Sequence, residues 1–150
     1  MSQVFLIYAS NRTDPTDQML VRDIAIDSMQ ANRGRDVSGI LMAVGNYFLQ
    51  VLEGETETVD ALLEKIGKDD RHTDIQVLYR GHLEERVFGQ WSMGCVRSNG
   101  EVLTDNSHLD AIREQISQLC DGETENQGEK LRDMIVQIPK LIADNELAVA

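Results

Sequence analysis

Cysteine, proline, aromatic residues and positive charge are all scarce in this sequence. Its two cysteines, Cys95 and Cys120, are too few and too far apart for a disulfide framework or a four-ligand metal site. His72, His82 and His108 have no metal-ligand spacing, so no metal site is expected. Fourteen Lys plus Arg against 26 Asp plus Glu leave a net charge of −12. That sign disfavours nonspecific binding to nucleic acid or to an anionic membrane, and any bound phosphate would need a local basic pocket. No apolar run approaches the roughly 18 residues needed to span a bilayer, and the N-terminus enters a strand without a leader pattern. The expectation is a cytoplasmic protein of 150 residues, one domain's worth, able to bury its own core.

What is present is organised around Asn46-Tyr47-Phe48-Leu49-Gln50-Val51-Leu52-Glu53-Gly54, an apolar strand with a carboxamide in its middle. A buried primary amide left unpaired costs roughly 1–3 kcal/mol, so something polar must face Gln50. In Val4-Phe5-Leu6-Ile7-Tyr8-Ala9-Ser10, Tyr8 is the residue of the apolar run with a hydroxyl to satisfy. If the two strands are neighbours, period-two alternation puts Tyr8 and Gln50 on one face. An ordinary Tyr–Gln hydrogen bond inside a core is the alternative.

The remaining elements follow from spacing. Asn11 to Asp17 is a polar loop with Thr16 or Asp17 able to cap a helix from Gln18 to about Asn32, and Gly34 suits its left-handed C-cap. A second strand over Val37–Val44 turns through Gly45-Asn46 into the third. A second helix spans about Glu55 to Lys68, with Val59, Leu62 and Ile66 on one side. A charged loop, Asp69 to Asp74, precedes a fourth strand over Ile75–Arg80, and a fifth passes through Val87-Phe88 to Trp91–Val96. The order β-α-β-β-α-β-β predicts a ferredoxin-like α+β domain with a five-stranded mixed sheet and both helices on one face.

Phe5, Ile7, Tyr47, Leu49 and Val51 then make the second face apolar as well, and it needs cover. Leu109, Ile112, Ile116 and Leu119, then Leu131, Ile135, Ile138 and Ile142, repeat at helical spacing and predict two amphipathic helices for that role. The polar run Asp121 to Gly128 joins them, Pro139 kinks or interrupts the second, and Asn145 to Ala150 is expected to fray. A hairpin that leaves the sheet to bind a partner is the alternative. Residues 1–98 are thus expected to form one unit and 99–150 a helical cap packed on its sheet.

Tyr8 with Ser10, Ser28-x-x-x-Asn32, Ser38-Gly39-Ile40-Leu41, Phe48-Leu49-Gln50-Val51-Leu52-Glu53-Gly54, Asp69-x-Arg71-His72 and Phe88-x-x-Trp91-Ser92-Met93 occur in this order. Over about residues 3 to 96 the pattern resembles the BLUF family, blue-light sensors that use a flavin. About residues 104 to 145 resemble the helical cap of its short, stand-alone members, with no cyclase, phosphodiesterase or DNA-binding domain attached.

The resemblance implies a flavin ring between the two helices, over the sheet face of Tyr8 and Gln50. Asn32 would bond the C4 carbonyl and N3–H, with Ser28 beside it. Light would draw an electron and then a proton from Tyr8, and Gln50 would rearrange by rotation, tautomerisation or both. The outcome is a small, dark-reversible red shift with the flavin oxidised. Trp91 and Met93, two apart on the last strand, can both address the Gln50 face; the resemblance implies that one or the other approaches the flavin and that their exchange carries the signal, with core packing of both as the alternative. Lys65, Asp69, Arg71 and His72 would reach the flavin's polar tail, Lys65 standing where relatives often have Arg, and Ala31 where many have Asn or His.

FAD is the implied cofactor, with FMN or riboflavin possible in recombinant material. Implied partners are a response-regulator-like protein, a cyclic-di-nucleotide phosphodiesterase or a transcriptional regulator, and a homo-oligomer is expected, with no direct nucleic-acid or membrane binding. Two rivals stand beside this reading. A flavin-dependent redox enzyme would need catalytic groups, but no Ser/His/Asp arrangement, close carboxylate pair, His-paired thiol or phosphate-cradling glycine loop is evident. A chromophore-free interaction module would not be expected to keep Tyr8, Asn32 and Gln50 together.

Overall fold

The structure, a computed structural model, describes residues 2–12, 18–44, 47–68, 72–89, 91, 93–97, 111, 112, 114–116, 127–143, 148 and 149. Its first strand, β1 (Gln3–Arg12), leads to helix α1 (Gln18–Arg33). Strands β2 (Ser38–Val44) and β3 (Tyr47–Glu55) follow, then α2 (Thr56–Ile66) and β4 (His72–His82). The chain continues through β5 (Gly94–Arg97), α3 (Gln127–Ile135), α4 (Ile138–Ala143) and β6 (Ala148–Val149). The class is α+β, as the element order predicts.

The sheet runs β4-β1-β3-β2-β5-β6. Its body is four long antiparallel strands, with β1 central between β3 and β4, and β2 beyond β3. The expected count of five is therefore corrected to a four-stranded body with two short additions. Among the described residues β5 joins β2 in parallel through Ile40↔Gly94 and Leu41↔Cys95, and β6 pairs with β5 at Val96↔Val149 and Arg97↔Ala148. The fifth strand is shorter than predicted because Trp91 N–H donates to the Phe88 carbonyl at 3.0 Å, folding that stretch into a turn. Ala148 and Val149, expected to fray, are paired.

Period-two alternation divides the sheet into two apolar faces. Val4, Leu6 and Tyr8 of β1 and Phe48 and Leu52 of β3 join Ile24 of α1 and Val59 and Leu62 of α2. Phe5, Ile7, Leu49 and Val51 join Ile112, Ile116, Leu131, Ile135 and Ile138 on the other side. The C-terminal residues thus cover the second face of their own chain, as the expectation of a cap required. Leu109 and Leu119, expected there too, lie outside the described residues. α3 approaches β4 so closely that a Cβ on Gly128 would overlap the Leu78 carbonyl. The helical stretch breaks at Val136-Gln137, leaving Pro139 in the first turn of α4, where its missing N–H costs little.

One cap differs from expectation. Asp36, with φ 53°, takes the left-handed conformation after α1 rather than Gly34. Asn32 O accepts from Arg35 N–H at 3.0 Å and from Val37 N–H at 3.4 Å, so the reversal falls two residues later. Aspartate tolerates that region better than most side chains.

Candidate functional site

Gln50 lies in a strand buried along nearly its whole length, and its backbone is directly opposite Tyr8 of β1. Both side chains are about 1% exposed. On the other flank Gln50 faces Leu41. Placing a phenol and an amide side by side in the sheet interior follows from register: a one-residue slip of either strand would turn its polar side chain onto the cap face and separate the pair.

Above this pair, α1 and α2 leave a cavity of about 270 Å³ lined by Asp27, Ser28, Ala31, Asn32, Gln50, Leu62, Lys65, Ile66 and Lys68. Ser28 and Asn32, four apart, share a helix face and reach the same space. Asn32 is 2% exposed, so the cavity presents two carboxamides against walls of Ala31, Leu62 and Ile66. Lys65 and Lys68 stand exposed at its rim. The volume is near the roughly 300 Å³ lower end of small-molecule sites. Apolar walls, two amides able to donate and accept, and cations at the mouth suit an aromatic heterocycle with an anionic tail, which is the chemistry of a flavin nucleotide.

The expected residues are only partly gathered here. Ser28, Asn32, Gln50 and Lys65 line the cavity, with Tyr8 beside Gln50. Asp69 and Arg71 lie outside the described residues, and His72 begins β4, its backbone opposite Arg12. Asp27 and Lys68 were not anticipated. Asp27 precedes Ser28 and stands four before Ala31, while Lys68 follows Lys65 by three, so helical spacing from the known positions was the available signal.

Met93 and Trp91 require a correction, because they do not share a face. Met93 is buried on the cavity side, and Gln50 Nε2–H donates to its sulfur at 3.4 Å. Trp91 packs into the cap-side cluster, its ring 6.4 Å from that of Phe88. Alternation holds only on extended backbone, and Trp91 and Met93 both precede β5, which begins at Gly94.

Behind the cavity floor lies a polar cluster that the spacing argument did not single out. Glu53, fully buried on the cap side of β3, accepts from Ser38 Oγ at 3.0 Å, Val87 N–H at 2.7 Å and Phe88 N–H at 2.8 Å. Arg86 donates to Ser38 Oγ at 2.9 Å and to the Asp36 carbonyl at 2.9 Å. Among the described residues no group of His, Cys, Asp and Glu is arranged to hold a metal, and no helix is long and apolar enough to cross a membrane.

The family described as BLUF, sensors of blue light using FAD, matches residues 4–94, more than half of the chain. A photoactivated adenylate cyclase subunit beta from Euglena longa is 34% identical over 109 residues, 71% of this chain and 11% of that protein. The blue light- and temperature-regulated antirepressor BluF of Escherichia coli is 33% identical over 88 residues, 59% of this chain and 22% of that protein. This chain therefore spans only a small part of the length of these curated relatives. The photo-activated state of BlsA superposes with a TM-score of 0.66 at 29% identity, covering 88% of this chain and 94% of that one. On the family match and on the cavity set over Tyr8 and Gln50, the chain belongs to the BLUF family of blue-light sensors, whose cofactor is FAD.

Proposed function

We propose that this chain is a photosensor in which Tyr8 and Gln50 form the light-responsive pair and the signal passes to a protein partner. The observation that carries the reading is the register match of two buried polar side chains, Gln50 lining a cavity between α1 and α2 and Tyr8 directly beside it in the sheet. Asn32 and Gln50 would hold the ring of FAD through their amides, Ser28 would stand beside them, and Lys65 would meet the polar tail. Asp69, Arg71 and His72 would complete the hold on that tail. When bound, FAD supplies a ring that absorbs blue light and becomes a strong oxidant.

Tyr8 is then the donor in this reading. With FAD bound, it would give the excited ring an electron and its Oη proton, and would recover both from it as the cycle closes. Gln50 answers by rotation, tautomerisation or both. Its Nε2–H now points to the Met93 sulfur, a weak acceptor, and rotation would turn a carbonyl oxygen toward that sulfur instead. The exchange of an attractive contact for a repulsive one gives Met93 a reason to move, so it carries the signal here. Trp91 would respond only through the loop it shares with Met93.

Residues 1–98 act as the sensor and 99–150 as the output and oligomerisation cap. The Euglena relative is a cyclase subunit and the Escherichia coli relative an antirepressor. By analogy we assign this chain a partner such as a response-regulator-like protein, a phosphodiesterase or a transcriptional regulator. The charge of −12 argues against nucleic acid as a direct target. We place the protein in the cytoplasm as a homo-oligomer with no catalysis of its own.

An absorption spectrum of the purified chain before and just after blue light tests the proposal. Flavin bands that move slightly to the red and return in darkness are expected. Bands that bleach instead would indicate a redox enzyme, and a colourless protein an interaction module.

A further inference from the structure

A buried carboxylate normally faces a cation or a catalytic group, and among the described residues Glu53 pairs directly with neither. Its acceptors are spent on Ser38 Oγ and on two successive backbone N–H groups, those of Val87 and Phe88. Glu53 lies three residues beyond Gln50 on β3, so the two side chains leave opposite faces of the sheet, and Glu53 does not line the cavity. Its hydrogen bonds nevertheless lead to Gln50. The Phe88 carbonyl accepts from Trp91 N–H at 3.0 Å, and the Trp91 carbonyl accepts from Gly39 N–H at 3.1 Å. Two residues on, the Met93 sulfur accepts from Gln50 Nε2–H at 3.4 Å.

β3 therefore holds both ends of this route, Gln50 above the sheet and Glu53 below it. Gly39 is the point where the loop meets β2, and a Cβ there would overlap the Val51 carbonyl, so β2 and β3 are locked against each other at this contact. Arg86 reinforces the lower end. It donates to Ser38 Oγ and to the Asp36 carbonyl, and its Nε donates to Gln3 Oε1 at 3.3 Å.

We propose that Glu53 is a positioning residue for the photoresponse: by clamping the Val87 and Phe88 amides it sets Met93 against the Gln50 amide from the opposite face of the sheet. The proposal rests on the assignment of Gln50 as the light-responsive amide. Met93 can yield to a rearranged Gln50 only as far as the loop behind it allows, and Glu53 sets that allowance. A glutamine at position 53 keeps the size but replaces one acceptor oxygen by an NH2 group. A donor then opposes the Val87 or Phe88 N–H, and the clamp loosens without a cavity.

The test is dark recovery after a blue flash in the full, flavin-loaded chain, for Glu53→Gln with Met93 intact and for the same change beside Met93→Ala. Glu53→Gln is expected to keep the red shift and to change the recovery rate by about threefold or more, the effect of weakening one hydrogen bond. Beside Met93→Ala the same change should have no effect on rate, because the group it positions is gone. An equal fold-change in both backgrounds, or none in either, would overturn the proposal and leave Glu53 a purely structural carboxylate. Should Glu53→Gln fail to fold, Ser38→Ala removes one partner of the carboxylate and gives the same comparison. Absence of any reversible shift in the unsubstituted chain would overturn the photosensor reading and this inference with it, whereas a normal shift that ignores Glu53 defeats the inference alone.

Discussion

The two faces of one sheet differ in almost everything except the strands that make them. On the cavity face, β1 and β3 present Tyr8 and Gln50 beneath two helices that leave about 270 Å³ between them. On the cap face, the alternate residues Ile7, Leu49 and Val51 meet Ile112, Ile116, Leu131, Ile135 and Ile138, each nearly or fully buried. A filled apolar face supplies stability through burial and dispersion, while a face with a cavity and buried amides gives some of it up. The molecule keeps its cavity and buried amides where packing is incomplete and draws its stability from the face where packing is close. A single-residue offset along each strand separates the two.

The sharpest way to break this comparison is to change the cavity face and look for an effect on light response with none on folding. Tyr8→Phe should keep the flavin and abolish the red shift entirely, since the phenolic proton is gone; Gln50→Leu should do the same. A normal shift in either variant would end the assignment. The reverse experiment acts on the cap face. Ile135→Ala, at a fully buried site, should cost about 2–5 kcal/mol in denaturant unfolding while leaving the red shift in place. Loss of the shift at unchanged stability would mean that the faces are not independent.

Met93 and Trp91 sharpen the contrast further, because neighbouring positions fall on opposite faces. Met93→Ala removes the acceptor of the Gln50 amide and should change dark recovery by roughly two- to tenfold, corresponding to one weak hydrogen bond. Trp91→Ala should lower the unfolding midpoint instead and leave recovery within experimental scatter. Swapped outcomes would put Trp91 at the cavity.

The smallest expected effect lies at the edge of both faces, where Arg80 of β4 grips Asp60 of α2 with Nη1–Oδ1 at 2.6 Å and Nη2–Oδ2 at 3.1 Å. The Arg80 hydrogen bonds hold the Asp60 carboxyl below its ordinary value, against a smaller opposing effect of desolvation. A depressed folded pKa contributes stability above the unfolded value, and that contribution is lost as pH falls from about 4 downward. Both groups are more than one-third exposed, so solvent screening limits the pair. Asp60→Asn should cost only about 0.5 kcal/mol near neutral pH and nothing in strong acid, measured by thermal unfolding at the two pH values.

Much of this was legible in residues. The amide of Gln50 is an anomaly in an apolar run, and period-two parity predicts Tyr8 on its face provided the two strands are neighbours, as the register has them. The Ser28–Asn32 spacing put two polar groups on one helix face, and the 3–4 repeats from Ile112 to Ile142 announced a cover for the second sheet face. Other features were hidden for a common reason. Trp91 and Met93 read as equivalent because the rule that relates residues two apart assumes extended backbone, and both lie before β5 begins at Gly94. Gly34 looked like the left-handed residue, yet Asp36 has that role because the helix runs on to Arg33.

Local chemistry, written in the order of residue types, determined which segments would be strands or helices, which side chains would be buried, and that some polar group must meet Gln50. Those properties depend on neighbours a few positions away, so the sequence alone contains them. Only the tertiary structure decided that Met93 rather than Trp91 reaches the amide, that Lys68 and Asp27 reach the cavity, and that Glu53 holds the loop behind it. Each of these is set by the approach of segments distant along the chain, whose meeting depends on strand order and register rather than on local composition.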